Sequence, residues 1–231
     1  VAALGSFVAG AITERVLFNP LRRRSQQNWV MNAFLVTAGL SIVLQNAAQL
    51  LLGVQYRGVT RYWPGAVQIS PTLSVPADRV MAFVIAVIAI AAFWLFLQKT
   101  STGRAIRAVA QNERGASLVG INLNRIQTLT FGLGCMLAGL CGGALLSLAP
   151  AYPRVGARPT ISSWFVVTVI GLGNTGAAIV GGLLVGLMET GTFFVLGNGW
   201  QDVLNLGLLI LLLVFKPAGL FGTQIKSVWE R

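Results

Sequence analysis

Apolar runs long enough to cross a bilayer recur along this 231-residue chain, and they constrain its fold more than any other feature. An α-helix needs about 20 apolar residues to span the hydrocarbon, where every backbone N–H and C=O must be bonded within the protein. Charged residues make up 10% of the sequence, whereas soluble domains usually carry roughly a quarter. The sequence therefore predicts an all-α, polytopic transmembrane helix bundle.

We expect about five full spans plus a broken or re-entrant pair, judged by the length that crosses a bilayer. The full spans are predicted at residues 1–18, 29–52, 80–97, 126–149 and 200–215. Pro20 and the three arginines after it should end the first span at the cytoplasmic face, with Glu14 snorkelling to the interface. Residues 53–77 predict an outer loop with a short hairpin or helix. Val1 already lies in an apolar run without a basic leader, so we expect no signal peptide and an N-terminally incomplete domain over residues 1–231.

The longest polar interruption is residues 99–125, KTSTGRAIRAVAQNERGASLVGINLNR, with five basic residues and one acidic residue. Spacings of three, four and three residues predict a short helix with one basic face, formed by Arg104, Arg107, Gln111 and Arg114. Such a helix cannot lie in hydrocarbon, so we expect it flat on the membrane surface. The alternative is a solvated loop that obeys the positive-inside bias.

The second predicted span carries a polar stripe. Its members recur every four residues with one neighbour beside them: Thr37, Ser41, Gln45, Asn46 and Gln49. Polar groups that face lipid are costly, so we expect the stripe to face other helices or a wet translocation pathway. Hydrogen bonds between helices without a role in transport are the alternative.

Small residues mark the fourth predicted span as a packing helix. Gly134, Ala138 and Gly142 follow a four-residue spacing, as do Gly139 and Gly143. Small side chains so placed allow close approach of another helix backbone.

A glycine-rich break separates residues 160–172 from residues 177–196. Backbone of this kind at membrane depth lines a cavity or is buried in protein, although a tight turn at the cytoplasmic face would also fit. The candidate pathway residues of the break are Gly171, Gly173, Asn174 and Gly176. Glu189 is the acid within this pair, either a gate on the pathway or a structural carboxylate with a partner.

The net charge of +11 would suggest nucleic acid in a soluble protein. Here the basic residues cluster between apolar runs, so we expect contact with anionic lipid and none with nucleic acid. The predicted span order puts twelve basic residues on the cytoplasmic side, together with the C-terminus, and five outside. Two cysteines without histidine leave no second pair of zinc ligands, and we expect no metal site, cofactor or catalytic residue.

Five separated motifs resemble the LivH/LivM type of ABC-transporter permease, the branched-chain amino-acid uptake family. They are ERVLFNPLRRR (14–24), SIVLQN (41–46), TSTGRAIRAVAQNERGASLVGIN (100–122), GLGNTGAAIVGGLLVGLME (171–189) and FKPAGLFG (215–222). The similarity extends over essentially the whole chain. Ile170 and Ala177 depart from it, since the family often has glycine at these two positions.

The resemblance implies a pore subunit of the bacterial inner membrane rather than an enzyme. Its implied partners are two ATP-binding cassette subunits, a second permease subunit (homologous or identical) and a periplasmic substrate-binding protein. The segment at residues 99–125 would be the cytoplasmic coupling segment that docks into an ATPase subunit. The residues implied in this coupling are Gly103, Arg104, Arg107, Arg114, Ala116, Gly120 and Ile121.

Other functions remain open at this point. The family cargo is a branched-chain amino acid, while urea or a short amide would suit relatives. An ion-coupled secondary transporter would need intramembrane titratable groups, for which the chain offers Glu189 and Asp202. A scaffold subunit is the third possibility.

Overall fold

A computed structural model describes residues 1–24, 29–53, 55–56, 58, 63, 65–70, 73–171 and 177–200, with residues 203, 206–207, 210–211, 214–216 and 219. The chain forms two compact units, Val1–Arg154 and Val155–Arg231. The prediction of an all-α polytopic bundle is confirmed. Within the described residues, four helical stretches are long and apolar enough to cross a membrane: Met31–Leu52, Ala77–Lys99, Leu123–Leu145 and Ala178–Leu196.

The first unit consists of helices and one hairpin. In chain order these are α1 (Ala2–Thr13), a π-helical turn (Glu14–Phe18), α2 (Asn19–Arg24), α3 (Trp29–Leu52), β1 (Ala66–Ser70), β2 (Leu73–Pro76), α4 (Ala77–Lys99), α5 (Ser101–Gln111), α6 (Glu113–Leu118) and α7 (Leu123–Leu145).

The first helical stretch does not end at Phe18, so the predicted stop at Pro20 is wrong. The backbone stays helical through α2, because a π-helical turn lies between α1 and α2. In this turn the N–H of Asn19 donates to the carbonyl of Glu14. A proline inside a helix lacks an N–H and its ring clashes with a carbonyl of the preceding turn. The wider π turn accommodates both effects, and such turns are frequent at functional sites.

Helices α1 and α7 pack at short range through small residues. A methyl group on Gly10 would lie 2.7 Å from Cβ of Cys135, and one on Gly132 would lie 2.9 Å from Cε2 of Phe7. Gly139 faces Ser6, as the prediction of close packing requires. In the other predicted set, Gly134, Ala138 and Gly142, the two glycines make no close contact, since no described atom would lie within 4 Å of a methyl group added to either.

The predicted outer loop carries the hairpin, with Val67 opposite Val75 in an antiparallel register. The hairpin is anchored on the first turn of α4. The N–H of Ala77 donates to the carbonyl of Gly65 at 3.1 Å, and the N–H of Trp63 donates to Oδ1 of the buried Asp78 at 3.2 Å.

The second unit is built on α8 (Ala157–Ile170) and α9 (Ala178–Leu196), which is followed by a 3₁₀ turn (Asn198–Trp200). Phe165, Val169 and Ile170 of α8 are buried together with Val185 of α9. Gly181 lies directly under the side chain of Ile170, which would have to shift to admit a larger residue. In the predicted last span, the described positions from 203 to 215 are helical, and the rest of that span lies outside the described residues.

Candidate functional site

Side-chain caps divide the predicted coupling segment (residues 99–125) into two helices. The N–H of Gly103 donates to Oγ1 of Thr100 at 2.9 Å, and the N–H of Gly115 donates to Oδ1 of Asn112 at 2.9 Å. Asn112 is extended, with φ −155° and ψ 101°, so α5 ends there. The prediction of one continuous helix with Arg114 on the same face as Arg104 is therefore wrong, because the asparagine cap starts α6 in a new direction.

Two of the predicted coupling residues are buried and set the geometry of the segment. A methyl group on Gly103 would lie 2.5 Å from Cα of Leu97 and from the carbonyl oxygens of Leu97 and Phe96. Only glycine therefore permits the tight turn from α4 into α5. Ala116 is 5% exposed, so it faces the interior of the first unit and not a partner.

The remaining predicted coupling residues lie at or near the surface. Arg104 and Arg114 are exposed, while the half-buried Arg107 donates from Nη1 to Oε1 of Gln98 at 2.7 Å and so ties α5 to the end of α4. Gly120 has φ +86° and turns the chain after α6. The N–H of Ile121 then donates to the carbonyl of Ala116 at 3.1 Å, which closes this turn.

The end of α6 exposes two large apolar side chains, which were not predicted from the sequence. Leu118 is 87% exposed and the next residue, Val119, is 77% exposed. With Arg114 one turn earlier they form a surface that we call the α6 tip (Arg114, Leu118 and Val119). The signal in the sequence was an apolar pair inside a polar segment that cannot enter the membrane.

A polar network with its buried end at Glu14 joins the π-helical turn to Glu113 of the predicted coupling segment, and it too was missed. Glu14 is 1% exposed, so the prediction that it snorkels to the interface is wrong. Its Oε2 accepts from Oγ1 of Thr128 at 2.6 Å, and its Oε1 lies 3.7 Å from Nη1 of Arg22. The same Nη1 donates to Oε1 of Gln127, whose Nε2 donates to Oε1 of Glu113 on α6.

This network borders a cavity of about 670 Å³ within the first unit. Phe18 and Phe131 line it, with ring centroids 5.2 Å apart. The guanidinium of Arg22 also lies 5.3 Å from the ring centroid of Trp29, a cation–π distance. The apolar side of α5 reaches the same cavity through Ile106 and Val109. Residues of the predicted coupling segment and of the first helical stretch thus line one cavity.

The predicted polar stripe lies on one exposed helix. Ser41, Asn46 and Gln49 are exposed and Gln45 is half-buried. Nε2 of Gln45 donates to Oγ of Ser41 at 3.1 Å, and Nδ2 of Asn46 donates to the carbonyl of Ile42 at 2.8 Å. These bonds all stay within α3, so the stripe keeps a polar face that a second molecule or a wet pathway can contact.

In the second unit, Gly171 ends α8 with φ 91° and ψ 145°. A methyl group on Gly219, which itself has φ +82°, would lie 2.5 Å from N of Gly171. The glycine-rich break and the terminal motif therefore meet backbone to backbone. Three predicted pathway residues of the break, Gly173, Asn174 and Gly176, lie outside the described residues.

Glu189 also lies in the second unit. Its Oε1 accepts from Oγ of Ser162 at 3.0 Å. This contact across α8 and α9 agrees with a structural carboxylate.

Comparison with known proteins gives one consistent result. The family model described as branched-chain amino acid transport system / permease component matches residues 1–213. The high-affinity branched-chain amino acid transport system permease protein BraD of Pseudomonas aeruginosa is 31% identical over 218 residues, which cover 92% of this chain and 70% of the relative. LivH of Escherichia coli, with the same description, is 28% identical over 90% of this chain and 68% of its own length. The ribose import permease protein RbsC of Bacillus subtilis is 28% identical over 62% of this chain and 44% of its own length. No solved structure matches.

Proposed function

We propose that this chain forms one half of the pore of an ATP-driven importer. The premise is that the chain belongs to the family of branched-chain amino acid transport permease components. The chain is a multi-pass membrane permease subunit and not an enzyme. The observation that carries the proposal is the family match over residues 1–213. ATP hydrolysis is assigned to separate subunits.

The proposed assembly contains two ATP-binding cassette subunits, a second permease subunit and a periplasmic substrate-binding protein. It resides in the bacterial inner membrane with the coupling segment and the C-terminus in the cytoplasm. The excess of basic residues on that side supports the orientation. The exposed polar face of α3 supports a second subunit or a wet pathway beside Ser41, Asn46 and Gln49.

The proposed cargo is a branched-chain or related small amino acid. BraD and the LivH of Escherichia coli, both named for branched-chain amino acids, match over about nine tenths of this chain, whereas the ribose permease matches over 62%. Uptake of labelled leucine, measured in competition with valine, urea, acetamide and ribose, tests the cargo. Competition by urea or ribose without competition by valine would contradict it.

The contact with the ATPase subunit is assigned to the α6 tip. Leu118 and Val119 are largely exposed in a segment too polar to lie in hydrocarbon, and an exposed apolar patch rimmed by polar residues is typical of a protein interface. Arg114 adds a positive charge beside it. Gly103 and Ala116, being buried, act by holding α5 and α6 in place. Displacement of α6 would then reach the spans through α7, which follows it directly.

Leu118→Asp tests this assignment. We expect uptake to fall about thirtyfold, since a central apolar contact contributes about 2 kcal/mol or more to an interface. The amount of permease in the membrane should not change, because Leu118 makes no buried contact. Asn124→Asp is the matched control, since it adds the same charge at an exposed position of α7 on the same side.

A cysteine at position 118, in a chain with Cys135 and Cys141 replaced by serine, should also cross-link to the ATPase subunit. Leu118→Asp with normal uptake, or a cysteine at 118 that cross-links to no ATPase, would refute the assignment.

A further inference from the structure

We propose that Glu14, Arg22 and Gln127 are positioning residues that couple movement of α6 to the first helical stretch, an inference that rests on the proposed function of the coupling segment. The connection passes from Glu113 on α6 through Gln127 to Arg22 and Glu14. Gln127 lies near the start of α7, so this route branches from α7 there and leads to the first helical stretch.

The two ends of this route differ in burial. Glu113 is exposed, at the first residue of a six-residue helix. Glu14 is 1% exposed, on the π-helical turn, and is held by Thr128. A buried carboxylate must keep a compensating partner, because desolvation without one is costly. The network thus has a fixed buried end and an end that can follow a partner.

The guanidinium of Arg22 can bind either Gln127 or Glu14, and this gives the network two arrangements. Its Nη1 donates to Gln127 while remaining 3.7 Å from Oε1 of Glu14. Within the described part of the chain, that Oε1 accepts no hydrogen bond. If α6 moves and draws Gln127 with Glu113, the guanidinium can close on Glu14 instead. Coupling requires contacts that differ between two states of the transporter, and this shared guanidinium supplies such a difference.

Gln127 has a defined hydrogen-bond direction in this route, since its oxygen accepts from Arg22 and its amide donates to Glu113. Gln127→Glu keeps the acceptor for Arg22 but places two carboxylates against each other at positions 113 and 127. Adding Glu113→Gln restores a donor–acceptor pair, now with the amide at position 113 donating to the carboxylate at position 127. The double variant exchanges the two residue types and keeps both contacts.

The experiment uses the complete transporter in proteoliposomes, with leucine uptake and ATP hydrolysis measured on the same sample. We expect Gln127→Glu to lower the ratio of leucine transported to ATP hydrolysed about tenfold, the effect of losing one charge-assisted hydrogen bond. The double variant should recover the ratio to within about twofold, because both bonds are present again. Gln55→Glu, the same substitution at an exposed position outside residues 99–125, should leave the ratio unchanged.

An unchanged ratio in Gln127→Glu would overturn the inference. So would a parallel fall of uptake and hydrolysis without recovery in the double variant, since that is the behaviour of a residue that only supports folding. The cross-link from a cysteine at position 118 distinguishes failure of the proposed function from failure of the proposed role of the network. If this cross-link is absent in a chain that keeps Gln127 and Glu113, the proposed function is refuted. If it is present and the ratio is unchanged, only the role of the network is refuted.

Discussion

Gly103→Ala is the perturbation whose size follows most directly from the structure. The added methyl group would lie 2.5 Å from Cα of Leu97, about 1 Å inside the ordinary separation of two carbon atoms. The atoms that it meets belong to the backbone of α4, so no side-chain rotation relieves the overlap. We expect the tight turn between α4 and α5 to be destabilised by about 1–3 kcal/mol.

A cost of that size lowers the population of the closed turn by about fivefold to 150-fold relative to open alternatives, since 1.4 kcal/mol is a factor of ten. Leucine uptake should therefore fall, and trypsin should cleave faster at Arg104, which the turn holds in α5. Uptake and limited proteolysis of purified protein are the measurements. Gly142→Ala is the control, because no described atom lies within 4 Å of a methyl group at that position. Wild-type uptake and cleavage rate in Gly103→Ala would refute the packing argument.

Two further changes test the first unit by thermal unfolding in detergent. Thr128→Val removes the 2.6 Å hydrogen bond to the buried Glu14 and should lower the free energy of unfolding by about 1.5–3 kcal/mol. Thr130→Val, whose hydroxyl bonds within its own helix, should change the free energy of unfolding little. Equal effects of the two substitutions would show that Glu14 is satisfied without Thr128. Gly139→Ala places a methyl group 2.7 Å from Cβ of Ser6 and should cost about 1–3 kcal/mol, and stability equal to that of Gly142→Ala would mean that α1 and α7 are not packed as described.

Features that depend on local chemistry were predictable. Long apolar runs identify the spans, because unpaired backbone groups in lipid leave few other structures. The turn-forming residues after the second span led to a loop with a hairpin or helix as alternatives, and the hairpin is present. The break at Asn112 was also within reach, since an asparagine three residues before Gly115 is a typical helix cap.

Features that depend on helix rotation and distant partners were not predictable. Gly132 and Gly134 are both small residues of one helix, yet only Gly132 faces α1, and the spacing rule does not say which face meets a neighbour. Glu14 looked like an interfacial residue beside Arg15, but its partner Thr128 is 114 positions away. Whether a charged side chain is buried depends on whether a distant residue supplies a hydrogen-bond partner for it.

Apolar run length, charge placement and motif order were therefore sufficient to predict a polytopic helical permease with a cytoplasmic coupling segment. These three features depend on how each stretch of sequence interacts with lipid and water. Folding of the helices against each other was needed to show that Glu14 is buried, that Arg22 lies between Glu14 and Gln127, and that Leu118 points outward. Those outcomes arise from contacts between residues far apart in the chain, and no local pattern encodes the rotation that brings them together.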